Sequence, residues 1–445
     1  MKMNQSRYNV ILPLGDEYIL YNTLTSALTV IDEDIQNVLT TGEGPQDIVE
    51  ALHQQGFLID PHTDERDIVK SCLEEKRGQV PETGYRKSPL GKVEFLNLII
   101  THQCNLNCTY CYKNATSCTG HMSTKVARKS VAFAHKEIDK NSIDTLFVSF
   151  YGGEPLVNLD VMEYIHKELH TLCHENGVTL TVKLFTNGTL LTNQFFETFS
   201  MSPIADVHIT FDAPESLHHQ RRVYPDGSSS FDAAVKGAVL TEDLGINLIL
   251  RINISPGNLD VIPFLQRLRE KGITHPDIYL GMAEPQMDYC THYYSSYGFP
   301  GDTDVFCFLK NEAAQKGFEL LPSGIGLHFS LCASTGEYFH IVDVDGSVYK
   351  CMSLVGDTDH AAATLNDDGT LTKTRVYSAW LSRNPLAIPQ CSRCTLLPRC
   401  MGGCTAIAWR NHNTYNAPGC FTVDFAGQLY NSRPVQKYTA SKAKD

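Results

Sequence analysis

Fifteen cysteines stand in this 445-residue chain, and their spacing is where its chemistry is concentrated. Cys104, Cys108 and Cys111 form a C-x3-C-x2-C group directly behind an apolar run, in LNLIITHQCNLNCTYCY. Cys391, Cys394, Cys400 and Cys404 form a second group, C-x2-C-x5-C-x3-C, with Cys332, Cys351 and Cys420 around it. Thiolates bind iron–sulfur clusters, and three this close can each take a different iron of one cube. The fourth iron is then open, which a reactive metal site needs if substrate or cofactor is to bind it directly. A zinc knuckle is the plain alternative for the first group and a zinc ribbon for the second. A ribbon prefers two C-x2-C knuckles, and only one is present. In a reducing compartment disulfides do not persist, so clustered cysteines read as metal ligands or redox catalysts. Cys72, Cys118, Cys173 and Cys290 read as buried or incidental thiols.

The elements that must position these groups follow from apolar periodicity. From residue 93 strands and helices alternate. Strand-like runs are Val93–Thr101, Thr145–Tyr151, Thr179–Phe185, Asp206–Phe211, Leu248–Ile254 and Asp277–Leu280. Helical spacing marks Thr124–Asp139, Leu159–Glu175 and Leu259–Lys271 between them. Repeated strand–helix units predict an α/β fold on a mostly parallel sheet, with function gathered on the loops after the strand ends. Ahead of it, Arg7–Leu14 and Glu17–Leu24 around Gly15-Asp16 predict a hairpin, and helical patterns follow at Asp32–Leu39, Gln46–His53 and Asp64–Lys76. That order fits a small winged-helix-like unit over 1–84. Gln79–Lys92 is rich in Pro, Gly and charge, as a linker is. From about 325 the chain is expected to be loop-rich and held by metal rather than a large core.

Composition excludes several classes. Lys plus Arg is 37 against 50 Asp plus Glu, a net charge of −13, which disfavours a nucleic-acid binder. The opening MKMNQSRYNVILPLG lacks the apolar core of a secretory signal, and no apolar run approaches a membrane span. The expectation is a cytoplasmic chain with neither nucleic acid nor membrane as partner.

The C-x3-C-x2-C group, with an aromatic before its last cysteine and behind the first strand of a (β/α)6 pattern, resembles the radical S-adenosylmethionine enzymes over residues 92–310. Gly152-Gly153-Glu154-Pro155, behind the second strand, matches that family's GGEP motif. The resemblance implies a partial (β/α)6 barrel and a [4Fe-4S] cluster on Cys104, Cys108 and Cys111. Its open iron would be chelated by S-adenosylmethionine, whose reductive cleavage yields a 5′-deoxyadenosyl radical. Tyr110 is expected to shield the cluster or stack on the cofactor. Asn187, Asp212 with Arg221 or Arg222, and Arg251 with Asn253 are candidate cofactor contacts at the later strand ends. Each has a structural alternative: Asn187-Gly188 also makes a turn, and Arg221 also serves as a surface charge.

The seven C-terminal cysteines resemble a SPASM domain, assigned to 326–425 with a tail over 426–445. That resemblance implies two auxiliary [4Fe-4S] clusters, three in all, with Cys332, Cys351 and Cys404 on the first. Cys391, Cys394, Cys400 and Cys420 would hold the second. Many relatives carry a further cysteine upstream, where this chain has His328 or Gly326. His328, a distant Cys307 or an open iron are the options for that position. The N-terminal unit resembles the leader-recognition elements of peptide maturases, which dock a leader as an added strand. The whole then resembles enzymes that crosslink ribosomally made precursor peptides through thioether, carbon–carbon or ether bonds, fed by a flavodoxin or ferredoxin. An anaerobic sulfatase-maturating enzyme is the alternative, but relatives of that type carry Asp directly after the cysteine of G-x4-C, where Met352 stands here. A non-enzymatic iron–sulfur carrier would not need GGEP.

Overall fold

The computed structural model describes residues 2–77, 92–111, 119–202, 204–254, 260–282, 309, 312–321, 332–420, 425–430 and 432–442. His328, Cys307, Cys118, Cys290 and most of the expected linker lie outside the described residues.

The N-terminal unit begins with a short strand β1 (Asn4–Gln5) and a three-stranded antiparallel sheet of β2 (Asn9–Leu14), β3 (Glu17–Asn22) and β4 (Leu28–Ile31). Gly15-Asp16 forms the β2–β3 turn, with Leu14 opposite Glu17. Helices α1 (Glu33–Thr41) and α2 (Gln46–Gln54) follow, then β5 (Leu58–Ile59), which pairs with β1, and α3 (Glu65–Arg77). Asp32 caps α1 by accepting from the Ile35 amide at 2.8 Å, satisfying one of the helix's orphan donors. Alternation on β3 sends Leu20 to one face, against Val38, Leu39 and Leu52, and Ile19 and Tyr21 to the other. That second face is covered by Leu429 and Val435, from helices Phe425–Tyr430 and Arg433–Lys442. The residues expected as a tail thus complete the core of the first unit. A second shared cluster joins Tyr8, Val69 and Leu73 to Ile388, Cys391, Leu397 and Met401, so this unit is not separate from the C-terminal region.

The central sheet takes six parallel strands in sequential order: β6 (Val93–Thr101), β7 (Thr145–Gly152), β8 (Thr179–Thr186), β9 (Ile204–Asp212), β10 (Asn247–Ile254) and β11 (Asp277–Met282). Between them lie α4 (Thr124–Asn141), α5 (Leu159–Asn176), α6 (Asn193–Thr198), α7 (Glu215–Arg221), α8 (Phe231–Asp243) and α9 (Val261–Glu270). Their apolar stripes and the strands' apolar residues form one large core. This is the α/β arrangement that the alternating strands and helices predict, and it places the ends of β6 to β10 at one edge.

The region after 332 is less irregular than its composition suggests. Strand β12 (Phe339–Val342) lies parallel beside β6, and β13 (Ser347–Tyr349), β14 (Ala363–Leu365) and β15 (Leu371–Lys373) continue antiparallel. Among the described residues the sheet therefore has ten strands and continues from β6 into the cysteine-rich region. Buried polar pairs stitch the join. His340 Nδ1 meets Glu94 Oε1 at 2.6 Å, and His102 Nε2 meets Asp343 Oδ1 at 2.6 Å. Among the described residues no helix is long and apolar enough to cross a membrane.

Candidate active site

The loop after β6 carries Cys104, Cys108 and Cys111 and is fixed by backbone bonds to two other segments, at Gly120 and at 221–223. The His102 amide donates to Gly120 O at 2.9 Å, the Asn107 amide to Val223 O at 2.7 Å and the Thr109 amide to Arg221 O at 2.9 Å. Within the loop, the Cys111 amide donates to Cys108 O at 3.1 Å. Cys108 is buried, while Cys104 and Cys111 are half-buried. Cys104 Sγ accepts from the Leu106 amide at 3.4 Å and from Asn187 Nδ2 at 3.7 Å.

The end of β7 passes so close to this loop that only glycine fits. Gly152 has φ +147°, and a Cβ there would lie 2.2 Å from Thr101 O. The amides of Gly153 and Glu154 then donate to Thr101 O at 2.7 Å and to Gln103 O at 2.8 Å. Glu154 is fully buried and binds inward. Its carboxylate accepts from the Leu156 amide (3.2 Å), the Thr186 hydroxyl (2.8 Å) and the Asn187 amide (2.7 Å), tying the ends of β7 and β8 together. Burial pushes its pKa up to about 7 against those three donors. Pro155, also buried, opens the short turn Pro155–Asn158.

At the next strand ends a polar network forms around Tyr110. Its hydroxyl donates to Asp212 Oδ1 at 2.7 Å and accepts from Arg222 Nη1 at 2.9 Å and Asn253 Nδ2 at 3.1 Å. Arg251 Nε donates to Asn253 Oδ1 at 3.0 Å. Burial raises the carboxyl of Asp212, with Arg222 pulling the other way; for Arg222 the attraction of Tyr110, Cys108 and Asp212 outweighs burial. Of the two adjacent arginines, Arg222 brings its guanidinium to Tyr110, and Arg221 contributes its carbonyl to the cysteine loop. Asn105 and Thr189, which no spacing marks, join through Asn187: its Nδ2 donates to Asn105 Oδ1 at 2.8 Å and its Oδ1 accepts from the Thr189 hydroxyl at 2.7 Å. Asn105 is signalled only by its place beside Cys104.

The fit to a bound group is tested by Asp212. Its Oδ2 is buried and, among the described residues, accepts no hydrogen bond. A buried carboxylate oxygen left so is costly unless a ligand donor reaches it. With three thiols, this suits a cluster and a polar cofactor.

In the C-terminal region, Cys404 lies near Cys351 and Cys332, and burial, then those two neighbours, push its thiol up to about 12. Cys400 is raised to about 12 by burial and by Cys420, Cys391 and Cys394. Cys391 rises to about 11 through burial and Cys420. The thiols thus gather as a three and a four. The short helix Pro389–Ser392 and the turn after it place Cys391 and Cys394, and helix Leu397–Cys400 ends on Cys400. Segment 402–404 runs against Gly419, with the Cys404 amide donating to Gly419 O at 2.9 Å and the Gly419 amide to Gly402 O at 2.9 Å. A Cβ on Gly403, where φ is +72°, would lie 2.1 Å from Gly419 O. Among the described residues no three His, Cys, Asp or Glu side chains are arranged to hold a single metal ion. Thiols on the separate corners of a cluster need not converge on one point.

Residues 98–284 match the family model described as the Radical SAM superfamily. A relative named radical SAM cyclopropyl synthase TigE, from Paramaledivibacter caminithermalis, is 22% identical over 90% of this chain and 89% of its own. A GTP 3',8-cyclase from Alkaliphilus oremlandii is 24% identical over 38% of this chain and 48% of its own. Among solved structures, anSMEcpe with bound AdoMet superposes with TM-score 0.58 at 17% identity, covering 78% of this chain and 99% of that one. Streptococcus suis SuiB bound to precursor peptide SuiA gives TM-score 0.52 at 13% identity, covering 93% and 98%.

Proposed function

We propose that this chain, a member of the radical SAM superfamily through residues 98–284, modifies a ribosomally made precursor peptide by hydrogen-atom abstraction and bond formation. The observation that carries this reading is the extent of the likeness to the cyclopropyl synthase: it runs through 90% of this chain, beyond the barrel on both sides. Of the candidate products, that likeness favours a carbon–carbon bond over a thioether or an ether. A cluster on Cys104, Cys108 and Cys111 with S-adenosylmethionine bound would supply a 5′-deoxyadenosyl radical for abstracting hydrogen.

The chain's own residues then have distinct tasks. Gly152 to Pro155 and Asn187 frame the side of the site nearest Cys104, and Glu154 fixes the separation of β7 and β8. Tyr110, Asp212, Arg222, Asn253 and Arg251 hold the other side, with Asp212 Oδ2 offered to the cofactor. Forming one bond removes two hydrogens, one captured as an atom and one released as a proton, and the remaining electron needs an acceptor. The cysteine sets 332/351/404 and 391/394/400/420 would carry two auxiliary clusters for that purpose, with a flavodoxin or ferredoxin donating in the cytoplasm. Residues 1–84 would take the leader as an added strand on an outer edge of the β2–β3–β4 sheet. Met352 sits in an apolar cluster with Ile99, Ile341 and Tyr349, and a thioether carries no transferable proton, which weighs against sulfatase maturation.

Anaerobically reconstituted protein, given reductant, S-adenosylmethionine and a leader-bearing peptide encoded beside its gene, tests the reading by mass spectrometry. Peptide losing two hydrogens in step with 5′-deoxyadenosine supports it. Unmodified peptide, with 5′-deoxyadenosine formed equally with and without it, overturns it.

A further inference from the structure

Arg383 lies at the junction of the two C-terminal cysteine sets. It follows helix Arg375–Leu381, and its side chain is 3% exposed. Its guanidinium donates from Nη1 to Tyr415 O at 2.8 Å, and from Nη2 to Ala417 O at 3.1 Å and to Gly402 O. Those carbonyls belong to the segments that bring Cys404 and Cys420 into place. They fix the fork but do not cancel its charge. As thiolates, Cys391, Cys332, Cys404 and Cys400, two from each set, would act on it. A void of about 20 Å³ lies where Arg383, Cys332 and Cys400 meet, together with Thr335 and Gly403. That is close to the space one water occupies. The arginine therefore lines one small gap with a cysteine of each set, Cys332 and Cys400.

An arginine remains a cation when buried, and inside a protein its field is weakly screened. Thiolate-ligated clusters are anionic, and reduction adds a further negative charge. A fixed cation beside them stabilises the reduced form, and charge near a cluster is one of the levers on its potential.

We propose that Arg383 is a shared positive charge that raises the reduction potential of both auxiliary sites, making the C-terminal array a better acceptor for the electron leaving the product. This rests on the iron–sulfur reading of the array, and the experiment separates the two. The full-length Cys104→Ala/Cys108→Ala/Cys111→Ala variant, which removes the first cluster's signal, is reconstituted and its iron counted. About eight irons per chain are expected from two four-iron sites. A chain with none refutes the iron–sulfur reading itself. With the irons present, Arg383→Gln and Arg383→Lys are added in turn and followed by redox titration with electron paramagnetic resonance.

The expected result is that Gln shifts the oxidised-to-reduced ratio of both sites about tenfold toward oxidised at fixed poise, about 59 mV for one electron. Lys, which keeps the charge but not the fork, returns most of that shift. Unchanged potentials in a fully loaded Gln variant overturn the proposal, and so does a shift at only one site. A Gln variant that no longer holds its irons also overturns it, because Arg383 would then serve the carbonyls rather than the potential.

Discussion

The cysteines after β6 and those after residue 332 are held by different means. The first loop hangs from a strand with neighbours on both sides. Amides along it are spoken for by Gly120, Val223 and Arg221, and Glu154 braces the strand ends beneath it. Its shape is set by a sheet that exists whether or not a metal is bound. The C-terminal cysteines sit on four-residue helices and turns, joined by a glycine crossing with no room for a single methyl group. The backbone bonds of that segment are those of turns and single helical turns, such as Cys394 amide to Cys391 O and Cys400 amide to Leu396 O, and its thiols sit close enough to raise one another's pKa. A site needed for chemistry is pre-shaped by the fold, whereas a site whose ligands are themselves the crosslinks depends on what it binds.

The sharpest way to break this contrast is to remove the loop thiols. Cys104→Ala/Cys108→Ala/Cys111→Ala should abolish 5′-deoxyadenosine formation, by more than about a thousandfold, the scale for loss of a whole catalytic unit. The melting temperature should hardly move, since the loop keeps its backbone bonds. Persistent cleavage removes the assignment, and a collapsed melt removes the claim of pre-shaping.

Gly419→Ala examines the other side. The added Cβ would lie 1.8 Å from Cys404 O, a clash that backbone must absorb, at a cost of about 3 kcal/mol. Iron content should fall through loss of C-terminal clusters, while cofactor cleavage without peptide stays within about threefold of native, as independent sites allow. A parallel loss of cleavage would show that the two regions share their stability.

The smallest effect is expected from Tyr110→Phe, which keeps the ring and deletes the hydroxyl that gives one hydrogen bond and takes two. Leaving those buried partners short costs about 1–3 kcal/mol of stability. Loss of the framed Asp212 should weaken S-adenosylmethionine about tenfold, or about 1.4 kcal/mol. Equilibrium binding and a thermal melt check both, and unchanged affinity would mean that Tyr110 braces the fold alone.

Much of the scaffold was legible in the sequence because the central strands are apolar on both faces. Val93–Thr101 coincides with its expected bounds, and the other five strands differ at their ends by a residue or two. Strand β4 and strands β12 to β15 have no more than four residues each, too short for a period to declare itself. At the site, motif residues could be named, but contacts between them could not. Which of two adjacent arginines turns inward is decided by where α7 ends. The pairing of His102 with Asp343 spans 241 residues and leaves no local trace.

The double coverage of β3 has a consequence for the chain's birth. Ile19 and Tyr21 emerge early in synthesis, but Leu429 and Val435, which cover them, are made about four hundred residues later. Until helices Phe425–Tyr430 and Arg433–Lys442 leave the ribosome, the β3 sheet has one apolar face without its cover. A sheet made well before its cover is thus completed late, and a chain cut off before residue 425 carries an adhesive, half-covered sheet.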